Sequence, residues 1–150
     1  VPDLLPVVHQ LIEQHHGTTI MKFFYHQALD ASGKEISKED FRYPGPRPQT
    51  KETAIVMLAD SVEAASKSLK EPTPQRLDNL VTEIIRGRFL DGELDESSLT
   101  LRDLGLIARS FIKILNSLFH SRVEYPEEQN IRKAEAVQGR QRGKRQTHGR

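Results

Sequence analysis

Cysteine is absent from all 150 residues. That excludes a disulfide framework, thiolate zinc sites and cysteine nucleophiles, so any bound metal must rest on imidazole and carboxylate; it also suits a reducing cytosol. Long apolar runs are missing as well. The longest, Ala54 to Ala59, stops at Asp60, far short of the ~20 apolar residues that cross a bilayer. The chain does not start with methionine, and its opening Val1-Pro2-Asp3-Leu4-Leu5-Pro6 has neither the basic nor the apolar region of a signal peptide. The expectation is therefore a fragment of something longer. Glycine-rich phosphate loops are lacking: Gly45 and Gly92 stand alone as turn glycines, and Ser61 and Ser110 lack the flanking glycines of a nucleophile elbow. Neither a P-loop nor a serine hydrolase is indicated. No segment of useful length alternates with period two, and no internal repeat occurs.

What is present suits one modest domain. Hydrophobic residues make up 36% of the chain, enough for a small core. The net charge of +1 conceals an asymmetry, because from Glu127 onward seven Lys/Arg face three Asp/Glu. That tail carries +4 and leaves the first 126 residues at −3. Apolar residues nearly vanish from 127–150, so this stretch is expected to be a disordered basic tail. It has no aromatic side chain to stack bases, and no specific nucleic-acid binding is expected; nonspecific attraction to anionic lipid would be lost at high salt.

Helical spacing organises the rest. Leu4, Leu5, Val8, Leu11, Ile12 and His15 predict a helix to about His16, with Gly17 beyond its end. A second helix is expected from a cap at Thr18 or Thr19 to about Ala31, with Phe23 and Phe24 supplying much of the aromatic packing. A proline-rich loop, Gly33 to Gln49, leads to a third helix over about Thr50 to Leu69, with Ile55, Met57, Leu58, Val62, Ala65 and Leu69 inward. Thr73 and Pro74 open a fourth helix to about Arg86. Thr100 and Asp103 open a fifth as a capping box with aspartate in place of glutamate. The fold class is all-α, a bundle of about five helices.

His15, His16 and Asp60 are of the types that hold iron, manganese or zinc where no thiolate is offered. Adjacent helical residues point ~100° apart, so two neighbouring histidines can serve one ion only where the helix ends, as Gly17 permits. A carboxylate inside the apolar run of helix three would need a metal or another partner. The residue types alone leave two alternatives open: a metal site, or an Asp60 turned to solvent beside surface histidines at a helix end.

Longer strings narrow the choice. His15-His16-Gly17-Thr18-Thr19, Phe23-Phe24-Tyr25-His26, Phe41-Arg42-Tyr43-Pro44-Gly45-Pro46-Arg47-Pro48 and Met57-Leu58-Ala59-Asp60-Ser61-Val62-Glu63-Ala64-Ala65 occur in that order. Together with Pro72-Thr73-Pro74, Leu99 to Leu104 and Phe119 to Pro126, the chain resembles the C-terminal half of the HD domain in the seven-transmembrane HD family of bacteria, the PgpH-type phosphodiesterases. The resemblance covers nearly everything up to residue 126. It implies an all-helical metal-dependent phosphohydrolase that opens cyclic di-AMP to pApA on the cytoplasmic face of the cell membrane, in a parent anchored there by membrane helices.

It further implies that His15 and His16 bind one metal of a two-metal site and Asp60 the other. The His-Asp doublet that names the family does not occur in these residues. Its aspartate normally bridges the two ions, so this chain alone is expected to be inactive until joined by the N-terminal half of the domain. Three ligands could still hold one ion weakly. The competing reading is a non-catalytic helical module that binds a nucleotide or a partner.

The remaining candidates are weaker. His9 lies about 120° off the face of His15 and is given no role. His26 is expected to be partly buried against a neighbour, His120 to cap helix five, and His148 to belong to the tail. Arg42, Tyr43, Arg47 and Lys51 offer cations for phosphate and a ring for adenine, or are simply the solvated charges of a stiff loop.

Overall fold

The structure, a computed structural model, describes residues 4–33 and 35–120. Five helices follow one another: α1 (Leu4–Gln14), α2 (Lys22–Ser32), α3 (Lys51–Lys67), α4 (Pro74–Leu90) and α5 (Leu101–His120), with a short 3-10 segment at Lys38–Phe41. No strand occurs among the described residues, only an isolated antiparallel bridge between Ile20 and Arg42. The all-α expectation therefore holds. The basic tail and His148 lie outside the described residues, as does the side chain of His120.

Local chemistry explains the helix ends. Thr50 accepts from the Thr53 amide while the Thr53 hydroxyl accepts from the Thr50 amide, closing a reciprocal cap on α3. Thr73 accepts from the Arg76 amide, and Pro74 takes the first position of α4, where its missing N–H is not needed. At α5 the expected box forms: the Thr100 amide donates to Asp103 Oδ2 at 3.0 Å, and the Asp103 amide to Thr100 Oγ1 at 3.1 Å.

Contacts divide the chain into residues 1–114 and residues 115–150; the described part of the second unit is the last stretch of α5. In the first unit α3 packs on α4 and on α1. The core holds Met57, Leu58 and Val62 of α3 with Leu77, Val81 and Ile85 of α4, joined by Leu94, Leu104 and Ile107. Each such side chain contributes about 1.5–3 kcal/mol by leaving water.

Three expectations need correction. Thr18 and Thr19 do not cap α2, because Glu93 and the His16 carbonyl engage their hydroxyls; the N-cap is Met21, whose side chain makes no capping bond. Helix α2 buries no residue, and Phe23 and Phe24 are 72% and 55% exposed. The antiparallel pairing of residues 19–21 with 41–43, through Met21 N to Phe41 O at 2.7 Å and Tyr43 N to Thr19 O at 2.9 Å, sets the chain's exit toward α2 and leaves these rings off the core. Ile55 is exposed although it was expected inward, since the buried stripe of α3 runs through Ala54, Met57, Leu58 and Val62.

Candidate metal centre

Helix α1 ends just before the histidine pair. His15 still donates its amide to Leu11 O at 3.1 Å, whereas Gly17 donates to Gln14 O at 3.0 Å as the chain turns out of the helix. The turn is pinned to the start of α3 by Gln14, which is buried and accepts from the Gln49 amide at 3.0 Å. Gly17 has φ +56°, a left-handed conformation, and a Cβ there would collide with Glu93 Oε2 and Met57 Cε. Only glycine fits that turn without displacement.

Both imidazoles are held. His15 Nδ1 lies 2.8 Å from Ile12 O and 3.0 Å from Leu11 O. A carbonyl can only accept, so the ring proton sits on Nδ1 and the Nε2 lone pair is left for a ligand. The His15 and His16 ring centres are 4.0 Å apart, and His16 stacks on Tyr43 at 4.3 Å with 24° between planes. His16 Nδ1 is 3.9 Å from Asp60 Oδ2, an approach too long for a hydrogen bond. Burial first, and then the neighbouring His15, push the His16 pKa below its ordinary value; Asp60 opposes the shift and the Arg88 charge adds to it. The balance favours neutral imidazole, the ligating form.

Asp60 is not interior: its side chain is 49% exposed. The helix turns it out of the core, yet toward a cavity of about 280 Å³ lined by His15, His16, Tyr43, Asp60, Ser61 and Arg88. The residue types left open whether this carboxylate meets a partner or solvent, and it lines the cavity without full enclosure. Among the described residues, no group of three or more His, Cys, Asp or Glu side chains closes on a point able to hold an ion. The two imidazoles and the carboxylate are the nearest approach to such a donor set, and their chemistry fits a divalent transition metal.

The other histidines stand apart. His9 pairs with Glu13 at 3.4 Å on the surface, and His26 is exposed rather than partly buried, since the 3-10 segment that meets α2 packs on Tyr25 through Phe41 and Lys38. The loop cations have structural bonds: Arg42 holds Glu39 and the Thr18 carbonyl, Lys51 meets Asp103 at 2.9 Å, and Arg47 reaches Thr18 Oγ1 at 3.5 Å.

Two residues that the sequence reading passed over belong to this region. Glu93 is 1% exposed, accepting from the Thr18 amide at 2.9 Å and the Thr18 hydroxyl at 2.6 Å, and so fixes the turn that follows His16. Arg88 donates through Nη2 to Ser61 Oγ at 3.2 Å. It follows Val81 by seven residues and Ile84 by four, so a cation on the apolar stripe of α4 was a readable signal. Glu93, in the loop beyond α4, gave none.

Comparison with known proteins bears on this geometry. No family model matches the chain. It is 50% identical over 117 residues to the cyclic-di-AMP phosphodiesterase PgpH of Bacillus subtilis and 42% identical over 117 residues to that of Listeria monocytogenes. The crystal structure of the L. monocytogenes PgpH HD domain superposes with a TM-score of 0.67 at 41% identity, covering 74% of this chain and 51% of that one. The chain is a homologue of the PgpH HD domain. The same PgpH domain in complex with cyclic-di-AMP gives a TM-score of 0.70, covering 77% of this chain and 54% of that one. The five helices match the all-α HD-domain fold, and the chain spans 16% of the length of these PgpH relatives, about half of the HD domain.

Proposed function

We propose that this chain is the second half of an HD-type, metal-dependent phosphodiesterase domain whose parent hydrolyses cyclic di-AMP to pApA at the cytoplasmic face of the cell membrane. The observation that carries the reading is the convergence of His15, His16 and Asp60 on one cavity, with ring centres at 4.0 Å and an imidazole-to-carboxylate approach of 3.9 Å. Identity of 50% to a protein named for this activity, and likeness to a domain solved with the cyclic dinucleotide, support it. HD-domain phosphohydrolases generally use divalent metals; here His15 and His16 would hold one of two ions and Asp60 the other. The metal, iron, manganese or zinc, supplies Lewis-acid stabilisation of phosphoryl oxygens and an activated water.

The chain's own residues do the positioning. Backbone carbonyls keep the His15 proton on Nδ1, Tyr43 and His15 pack against the His16 ring, and burial lowers the His16 pKa. Two histidines and one aspartate fill only part of two coordination shells, so the chain alone is inactive and is completed by the N-terminal half. The test compares this chain with one extended by the preceding ~100 residues, roughly half a typical domain, for metal content and for cyclic di-AMP hydrolysis. The extended protein is expected to bind two ions and produce pApA, and His16→Ala or Asp60→Ala to abolish turnover. An extended protein that binds the dinucleotide without cutting it would favour a non-catalytic binding module instead.

A further inference from the structure

Arg88 stands out among the cations of this chain. It lies on the inward stripe of α4, where a guanidinium is costly unless its charge is met. Its Nη2 bonds Ser61, but its Nε–H is shielded from solvent and has no acceptor, and no carboxylate among the described residues lies within ion-pair distance of it. Among the described residues the guanidinium thus has one hydrogen-bond partner and no ion pair, although Asp60 shares its cavity. Arg88 also lines two cavities at once: the one of about 280 Å³ that holds His15, His16 and Asp60, and a neighbouring cleft of about 380 Å³ that contains the cations Lys22 and Arg42 and the carboxylates Glu83 and Asp91. Its positive charge is felt at the His16 ring.

We infer that Arg88 is an anion-binding residue of the site, its guanidinium taking a phosphate oxygen of the cyclic dinucleotide in the cavity it shares with the histidines, with Ser61 holding it in place. Guanidinium is the side chain best matched to phosphate, and a phosphate brought into the cavity supplies the ion-pair partner that the described residues do not. The inference rests on the phosphodiesterase reading of this site.

The experiment uses the manganese-loaded parent HD domain and measures kcat/KM for cyclic di-AMP, metal content and melting temperature in the wild type, Arg88→Met and Arg88→Lys. Loss of a charge-assisted phosphate contact predicts a fall in kcat/KM of about 10- to 100-fold for Arg88→Met, with Arg88→Lys recovering part of it. Metal content should be unchanged and the melting temperature equal or higher, because an apolar side chain of similar length replaces a charge that has no ion pair among the described residues. A purely structural arginine would instead lower the melting temperature. A kcat/KM within twofold of wild type, or a loss accompanied by metal loss or a lowered melting temperature in both variants, would overturn the inference while leaving the phosphodiesterase reading intact. An inactive wild type would sink that reading itself.

Discussion

Glu93→Gln is the sharpest probe of how the histidine turn is built. The carboxylate is 1% exposed and accepts two hydrogen bonds from one residue, 2.9 Å from the Thr18 amide and 2.6 Å from its hydroxyl. Glutamine keeps the size and can still accept from the Thr18 amide while its NH2 donates to the Thr18 hydroxyl, so both contacts survive but lose their charge assistance. A hydrogen bond to a charged group contributes about 1.5–3 kcal/mol and a neutral one about 0.5–1.5, so weakening both sets the expected loss at roughly 2–3 kcal/mol. Urea unfolding followed by circular dichroism reads it as a lower midpoint with an unchanged slope. Thr18→Val removes the hydroxyl alone, and the double variant should be non-additive by at least about 1 kcal/mol, because both changes strike one network. A loss below about 0.5 kcal/mol, or strict additivity with Thr18→Val, would show that Glu93 does not hold the turn.

Two further outcomes follow from the same geometry. Gly17→Ala combines a positive φ with a Cβ that meets Glu93 and Met57, and thermal unfolding should show a destabilisation of more than about 1 kcal/mol; a neutral result would mean that the turn has another accessible conformation. Asp103, whose pKa is lowered from 3.8 to about 2 by the Lys51 ammonium first and then by the Thr100 amide and hydroxyl, stabilises the fold above pH 3.8 and loses that contribution as the pH falls toward 2. Asp103→Asn should therefore be less stable than wild type at pH 5 and converge with it near pH 2; equal stability at both pH values would remove the Lys51–Asp103 link from the fold.

Much of the architecture was legible because its causes are local. Thr73-Pro74 and the Thr100–Asp103 box lie beside the helices they start, and the apolar spacing of Met57, Leu58 and Val62 fixes which face of α3 is buried. Gly33 stops α2 in the left-handed conformation expected of a glycine there. The expectation failed where an element's surroundings decide: Phe23 and Phe24 have the composition of a packed face, but no described element lies over them. The placement of Asp60 was left open for a related reason, since an apolar run on one helix does not state which wall of a cavity its aspartate will face.

The sequence by itself determined the helices, the caps of α4 and α5, the missing thiolate chemistry and the likeness that names His15, His16 and Asp60 as candidate ligands. Only the tertiary structure decided that Glu93 reaches Thr18 across 75 residues of chain, and that Arg88 arrives at the histidine cavity with no carboxylate among the described residues within ion-pair distance. The physical reason is range. Helix propensity and capping act over a few residues, whereas the partner of a buried polar group is whichever side chain the packing of distant elements brings within hydrogen-bond reach.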